Sequence, residues 1–114
     1  MSTLITGAGL IGCQTAALLA ARCEKVVLLD KAPQAQHIAS VLPLEAVRIE
    51  TGDISDRQAL IATLERHEVE QVVHTAAALS MAIRREPALA ADVNFMGTVH
   101  VLEAARLLGV RRVV

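Results

Sequence analysis

The chain has 114 residues, 54% of them hydrophobic, a net charge of −1 and a single aromatic, Phe95. That is the size of one domain with a core of small aliphatic side chains. The lone aromatic and the lack of a basic block exclude base-stacking platforms and phosphate-backbone tracking, so nucleic acid is not an expected partner.

The first apolar run, residues 3–6, predicts a short strand. It enters Gly7-Ala8-Gly9-Leu10-Ile11-Gly12, and residues 10–21 then predict a helix. Residues 25–30 form a second strand, Val26-Val27-Leu28-Leu29, closed by Asp30. A buried strand, a glycine turn, a helix and a second strand ending in an acid make the layout of a dinucleotide-binding βαβ unit. In that layout Gly7 allows the sharp exit from the strand. Gly9 lets backbone approach a phosphate, and Gly12 lets the helix pack on the sheet. The open amides and the positive dipole end of the helix then face a diphosphate. Asp30 accepts from ribose hydroxyls and repels a 2′-phosphate, which favours NAD over NADP; Lys31 beside it leaves room for NADP.

Residues 2–21 carry no charge and are long enough to span a bilayer. Glycines, hydroxyl residues and Gln14 interrupt them and no basic leader precedes them, so neither a membrane span nor a signal peptide is expected. Cys13 and Cys23 lie roughly 15 Å apart along one helix, too far for a disulfide. Neither has the spacing of a metal site, and reduced thiols fit a cytoplasmic protein.

Residues 46–50 predict a third strand. Residues 56–67 predict a helix, with Leu60, Ile61 and Leu64 at helical spacing and Asp53, Ser55 and Asp56 as candidate caps. Residues 71–74 form a fourth strand, and 79–86 read as a loop at the ligand-binding edge of the sheet. In that loop Ser80 and Met81 are candidate substrate or nicotinamide neighbours, while Arg84 and Arg85 read as solvated charges with contact to a substrate phosphate as the alternative. A helix of about 22 residues then runs from Pro87 to Leu108, capped by Gly109. Its charges, Asp92, His100, Glu103 and Arg106, fall in one stripe at 100° per residue. The apolar arc is about twice what one sheet needs to cover, which predicts a second apolar neighbour: more of the domain, or a second subunit in a homodimer. Residues 111–114 begin a fifth strand that is cut off within it.

Continuously apolar strands alternating with helices define an α/β protein with a doubly wound, Rossmann-type parallel sheet between two helical layers, in the order 3-2-1-4-5. His74 ends a buried strand and reads first as a hydrogen-bonded structural residue; its titration range would also suit a proton carrier. Asn94 lies on the same helix face as Thr98, Val101 and Ala105, where its amide needs partners.

The motif set resembles the N-terminal part of the extended short-chain dehydrogenase/reductases, the epimerase/dehydratase group. Thr6-Gly7-Ala8-Gly9-Leu10-Ile11-Gly12 looks like their glycine motif. Thr51-Gly52-Asp53-Ile54 looks like their third-strand motif, and His74-Thr75-Ala76-Ala77 is similar to the fourth-strand motif that lies along the cofactor. Asn94-Phe95-Met96-Gly97-Thr98 with Leu102-Glu103-Ala104-Ala105 resembles their long central helix. The resemblance implies that Asp53 contacts the adenine amino group, that Ile54 packs on the ring, and that Asn94 supports a proton relay. It implies NAD as cofactor and a small-molecule substrate such as a nucleotide sugar. Here the glycines are spaced two and three apart, against three and three in the family, so the turn is one residue shorter.

The family's base is the Tyr of a Tyr-x-x-x-Lys segment, followed by a substrate domain, and this chain contains no Tyr. Residues 1–114 are therefore expected to be an NAD(P)-binding portion, inactive alone, of an epimerase or dehydratase. The alternatives are a reductase or dehydrogenase of the same superfamily acting on a steroid-like or other hydroxy/keto substrate, and a non-catalytic dinucleotide-binding module.

Overall fold

A computed structural model describes all of residues 1–114. The elements run β1 (Ser2–Thr6), α1 (Leu10–Ala21), β2 (Lys25–Asp30), α2 (Ala35–Ala39), β3 (Arg48–Thr51), α3 (Arg57–Arg66), β4 (Gln71–His74), α4 (Ser80–Arg85), α5 (Pro87–Ala91), α6 (Gly97–Leu108) and β5 (Arg112–Val113). The five strands form one parallel sheet in the order β3-β2-β1-β4-β5.

The unbroken apolar runs have a direct cause. Alternate strand residues face opposite helical layers, and both faces are covered. Leu4, Val27, Leu29 and Val72 join Leu60 and Leu64 of α3 and Val101 and Ala104 of α6 in one core cluster. Ile5, Val26 and Leu28 join Cys13 and Ala16 of α1 and Ile38 of α2 in another. The sheet is thus the middle of three layers, as the sequence predicts. No helix is long and apolar enough to cross a membrane.

Several local elements differ from expectation. The third strand begins at Arg48, because Leu44–Ala46 form a 3₁₀ turn after Pro43. The five residues of α2 are absent from the sequence reading. The loop expected at 79–86 contains α4, a six-residue helix exposed along its whole length. The run from Pro87 to Leu108 is helical throughout, but Asp92–Met96 form a π turn between α5 and α6. That wider turn breaks the 100° arithmetic, and the expected stripe of charges divides. Asp92 is exposed, His100 Nδ1 bonds to the Ile54 carbonyl at 2.9 Å, and Glu103 pairs with Arg106 at 2.9 Å. Of the candidate caps of α3, Asp56 holds the N-cap and accepts from the Ala59 amide, whereas Asp53 and Ser55 bond to each other ahead of the helix; Gly109 ends α6 in the left-handed region at φ +67°.

Candidate functional site

The glycine turn joins β1 to α1 at the carboxyl edge of the sheet, and its three glycines meet three different requirements. Gly7 sits at φ +89°, a left-handed conformation that its lack of Cβ permits. Its amide donates to the Leu29 carbonyl at 2.8 Å, and a Cβ there would lie 2.9 Å from the Ala76 nitrogen. A Cβ on Gly12 would lie 1.8 Å from the Gly7 carbonyl oxygen, so this glycine permits the contact between helix and turn. Gly9 differs: a Cβ there would meet nothing within 4 Å. Gly9 is also the N-cap of α1 and supplies no side chain to bond the first amides of the helix. Those amides therefore remain available to an anion.

Asp30, at the end of β2, is held from both sides. Its Oδ2 accepts from the Ala8 amide at 2.8 Å and its Oδ1 from the Ala32 amide at 2.9 Å. A carboxylate offers about four lone-pair positions, so both oxygens keep capacity for further hydroxyl donors. Cys13 supports the same turn from below. Its buried thiol donates to the Ala8 carbonyl at 3.3 Å, and burial pushes its pKa up and keeps it protonated. Cys23 is exposed and unpaired.

The turn forms one wall of a cleft of about 890 Å³. Gly7, Gly9, Leu10, Ile11, Gly12, Asp30, Lys31, Asp53, Ile54, Thr75, Ala76 and Ala77 all line it. Lys31 Nζ lies 3.7 Å from Asp53 Oδ2 across the mouth. The Ser55 backbone amide, at 2.9 Å from Asp53 Oδ1, is the main reason the Asp53 carboxyl is held below its usual range. Ile54 is buried, and a Cβ on Gly97 would come within 2.6 Å of its Cδ1, so the adjacent helix is fitted closely to it.

Ala8, His74 and Asn94 are outside the lining. Ala8 acts through its amide on Asp30. His74 bridges two threonines behind the cleft, with Nδ1 2.6 Å from Thr6 Oγ1 and Nε2 3.0 Å from Thr98 Oγ1. Thr98 donates its hydroxyl hydrogen to the Asn94 carbonyl, so its oxygen accepts from Nε2. Burial lowers the pKa of the ring, which favours the neutral form with Nδ1 accepting from Thr6. Asn94 grips the peptide of Ala78: Oδ1 accepts from the amide at 2.7 Å and Nδ2 donates to the carbonyl at 3.0 Å. It holds the segment that continues the cleft wall beyond β4. The Thr75 hydroxyl does similar work on the turn, donating to the Thr6 carbonyl at 2.7 Å.

Of the far wall, the sequence reading places 79–86 at the ligand edge and names Met81 and, as the alternative, Arg85. Leu79, Met81, Ala82, Arg85 and Glu86 from α4 and its ends, and Leu89, Ala90 and Val93 beyond, join the lining with Leu29, Gly52 and Ala78; Ser80 and Arg84 do not take part. A turn with open amides, a glycine facing empty space and a fixed carboxylate one strand away fit the diphosphate and ribose of a dinucleotide.

The model of the NAD dependent epimerase/dehydratase family matches residues 3–114. The chain is 38% identical over its whole length to the sterol demethylase protein B of Methylococcus capsulatus, of which it covers 33%. It is 33% identical over 94% of its length to a UDP-glucose 4-epimerase of Rhizobium meliloti, covering 32% of that protein. Its structure resembles the UDP-glucose 4-epimerase of Thermus thermophilus in complex with NAD, with a TM-score of 0.85 and 29% identity over 99% of this chain and 36% of that one. The chain thus spans about a third of the length of the curated relatives it matches.

Proposed function

Since this chain belongs to the NAD dependent epimerase/dehydratase family, we propose that it is the cofactor-binding portion of an NAD-dependent enzyme acting on a nucleotide sugar. The observation that carries this reading is the direction in which Gly9 faces. Its missing Cβ leaves open space at the N-terminus of α1, one strand from an oriented Asp30 carboxylate. The α1 amides would hold the diphosphate, Asp30 the adenosine ribose hydroxyls, and Asp53 with Ile54 the adenine. When bound, the nicotinamide supplies reversible hydride exchange at a carbinol carbon.

That reaction also needs a base for the hydroxyl proton. His74 is unsuited to it, since both ring nitrogens are engaged behind the cleft. The 114 residues contain no tyrosine, so on this reading the chain binds NAD without turnover and proton transfer is supplied from outside it. A second reading, a superfamily reductase or dehydrogenase working on a steroid-like substrate, draws on the likeness to the sterol demethylase protein B, which a UDP-glucose 4-epimerase equals at 38% identity. It uses the same cofactor site and differs only in substrate.

Calorimetric titration of the chain with NAD and NADP, repeated on Asp30→Ala, tests the reading. NAD affinity should fall at least tenfold, about 1.4 kcal/mol, because a charged hydrogen-bond acceptor is lost. NADP, which meets electrostatic repulsion from Asp30, should lose less. Equal losses for the two, or no heat with either on the folded protein, would overturn it.

A further inference from the structure

We infer that Arg85 is the cation that holds the diphosphate of the bound nucleotide, and that α4 carries it over the cleft as a lid; this rests on the cofactor reading above. Five charged side chains line the cleft: Asp30, Lys31, Asp53, Arg85 and Glu86. Three are already engaged, Asp30 with the Ala8 and Ala32 amides and Lys31 with Asp53. Arg85 has no ion-pair or hydrogen-bond partner, although arginine is the side chain best suited to bidentate contact with phosphate oxygens. Without it the lining would hold three acids against one lysine paired with Asp53, a poor environment for a diphosphate with its two negative charges.

The element that bears Arg85 is built to move. All six residues of α4 are exposed, it packs chiefly on α5, and its N-cap Leu79 makes no side-chain cap bond. Its apolar residues are also in the open, with Met81 61% exposed and Leu79 75% exposed, and both face into the cleft lining. A ligand between α1 and α4 would cover this apolar surface and pair the guanidinium in one step. The adjacent Arg84 is also unpaired but is not part of the lining, which makes it an internal control.

Binding of NAD, ADP-ribose, UDP and adenosine is measured on the whole chain and on Arg85→Ala and Arg84→Ala. Arg85→Ala should weaken NAD and ADP-ribose about tenfold at low salt. The difference should shrink as ionic strength approaches about 0.5 M. Adenosine, which has no phosphate, should bind both proteins alike, and Arg84→Ala should match the parent. A matching loss for UDP would mean that the cation serves diphosphates in general, and an unchanged UDP affinity that it serves the dinucleotide. In limited trypsinolysis, saturating NAD should slow cleavage after Arg84 and Arg85 at least tenfold more than cleavage after Arg22, which lies between α1 and β2 at the opposite edge of the sheet. Parent protein that binds NAD, with unchanged affinity in Arg85→Ala and no selective protection, would overturn the inference and leave the cofactor reading standing. Parent protein that binds neither NAD nor ADP-ribose would remove both.

Discussion

Two glycines three residues apart should respond in opposite ways to the same added methyl group. In Gly12→Ala the new Cβ would start 1.8 Å from the Gly7 carbonyl oxygen, where about 3.0 Å is the closest approach real Cβ atoms make. The first turn of α1 must therefore withdraw from the turn by about 1.2 Å, and the obstacle is backbone, which no rotamer change relieves. The buried Cys13 and Ala16 lie on the same helix and would lose contacts with Ile5 and Leu28. Alanine gains about 1 kcal/mol in helix propensity over glycine. Overpacking costs about 1–3 kcal/mol, and fixed backbone atoms put this site at the upper end, so a net loss of about 2 kcal/mol is expected, a large part of the stability of a small domain. In Gly9→Ala the added carbon meets nothing within 4 Å and the backbone, at φ −85°, is open to any residue. Its folding stability should change by less than about 0.5 kcal/mol, because a weaker N-cap is offset by lower unfolded-state entropy. Its affinity for NAD should nevertheless fall sharply, since the methyl group occupies the space a diphosphate needs. Urea denaturation and calorimetry on the two variants separate these effects. A Gly9→Ala protein as destabilised as Gly12→Ala, or one that binds NAD as tightly as the parent, would refute the assignment of roles.

The neutral His74 ring gives a pH dependence of known sign. Its folded pKa lies below its ordinary value, so the unfolded chain takes up a proton first. Its contribution to stability is complete above about pH 6.5 and is lost as pH falls below that toward the folded pKa. Melting temperature measured from about pH 7.5 to about pH 5.5 should fall less steeply in His74→Gln than in the parent; parallel curves would count against the bridge between the threonines. The closeness of Gly97 to Ile54 predicts a coupled pair. Gly97→Ala alone should cost about 1–2 kcal/mol, and Ile54→Val alone about 1 kcal/mol. The double variant should lose at least about 0.5 kcal/mol less than the sum, and strict additivity would show that the helix yields instead of the side chain.

The parts of this molecule that could be read from its residues are those in which one side chain meets one strong constraint. Leu4-Ile5 and Val26-Val27-Leu28-Leu29 are apolar without alternation because both faces are buried, and this sets strand and layer together. Asp56 and Gly109 mark helix ends because Asp56 satisfies a first-turn amide and Gly109 takes the left-handed turn that ends α6. The helix α4 left no such trace: every residue of Ser-Met-Ala-Ile-Arg-Arg is exposed, so no periodicity marks it. The π turn at Asp92–Met96 was hidden because period analysis assumes 3.6 residues in every turn. The same limits apply at the site. The near wall of the cleft follows from glycines and an acid at fixed spacing. The far wall depends on where an exposed helix comes to rest, and so Arg85, and not its neighbour Arg84, enters the lining. His74 ends a strand as expected, yet only its two threonine partners show that it stands behind the cleft.

The grip of Asn94 on Ala78 anchors the cleft rim to a helix. Thr75 and Ala76 are tied back to Thr6 at the end of β1, but the Ala78 peptide has an amide side chain as its hydrogen-bonding partner instead of a neighbouring strand. Both bonds come from one side chain of the long helix, so the start of the rim between β4 and α4 is registered to that helix and not to the sheet.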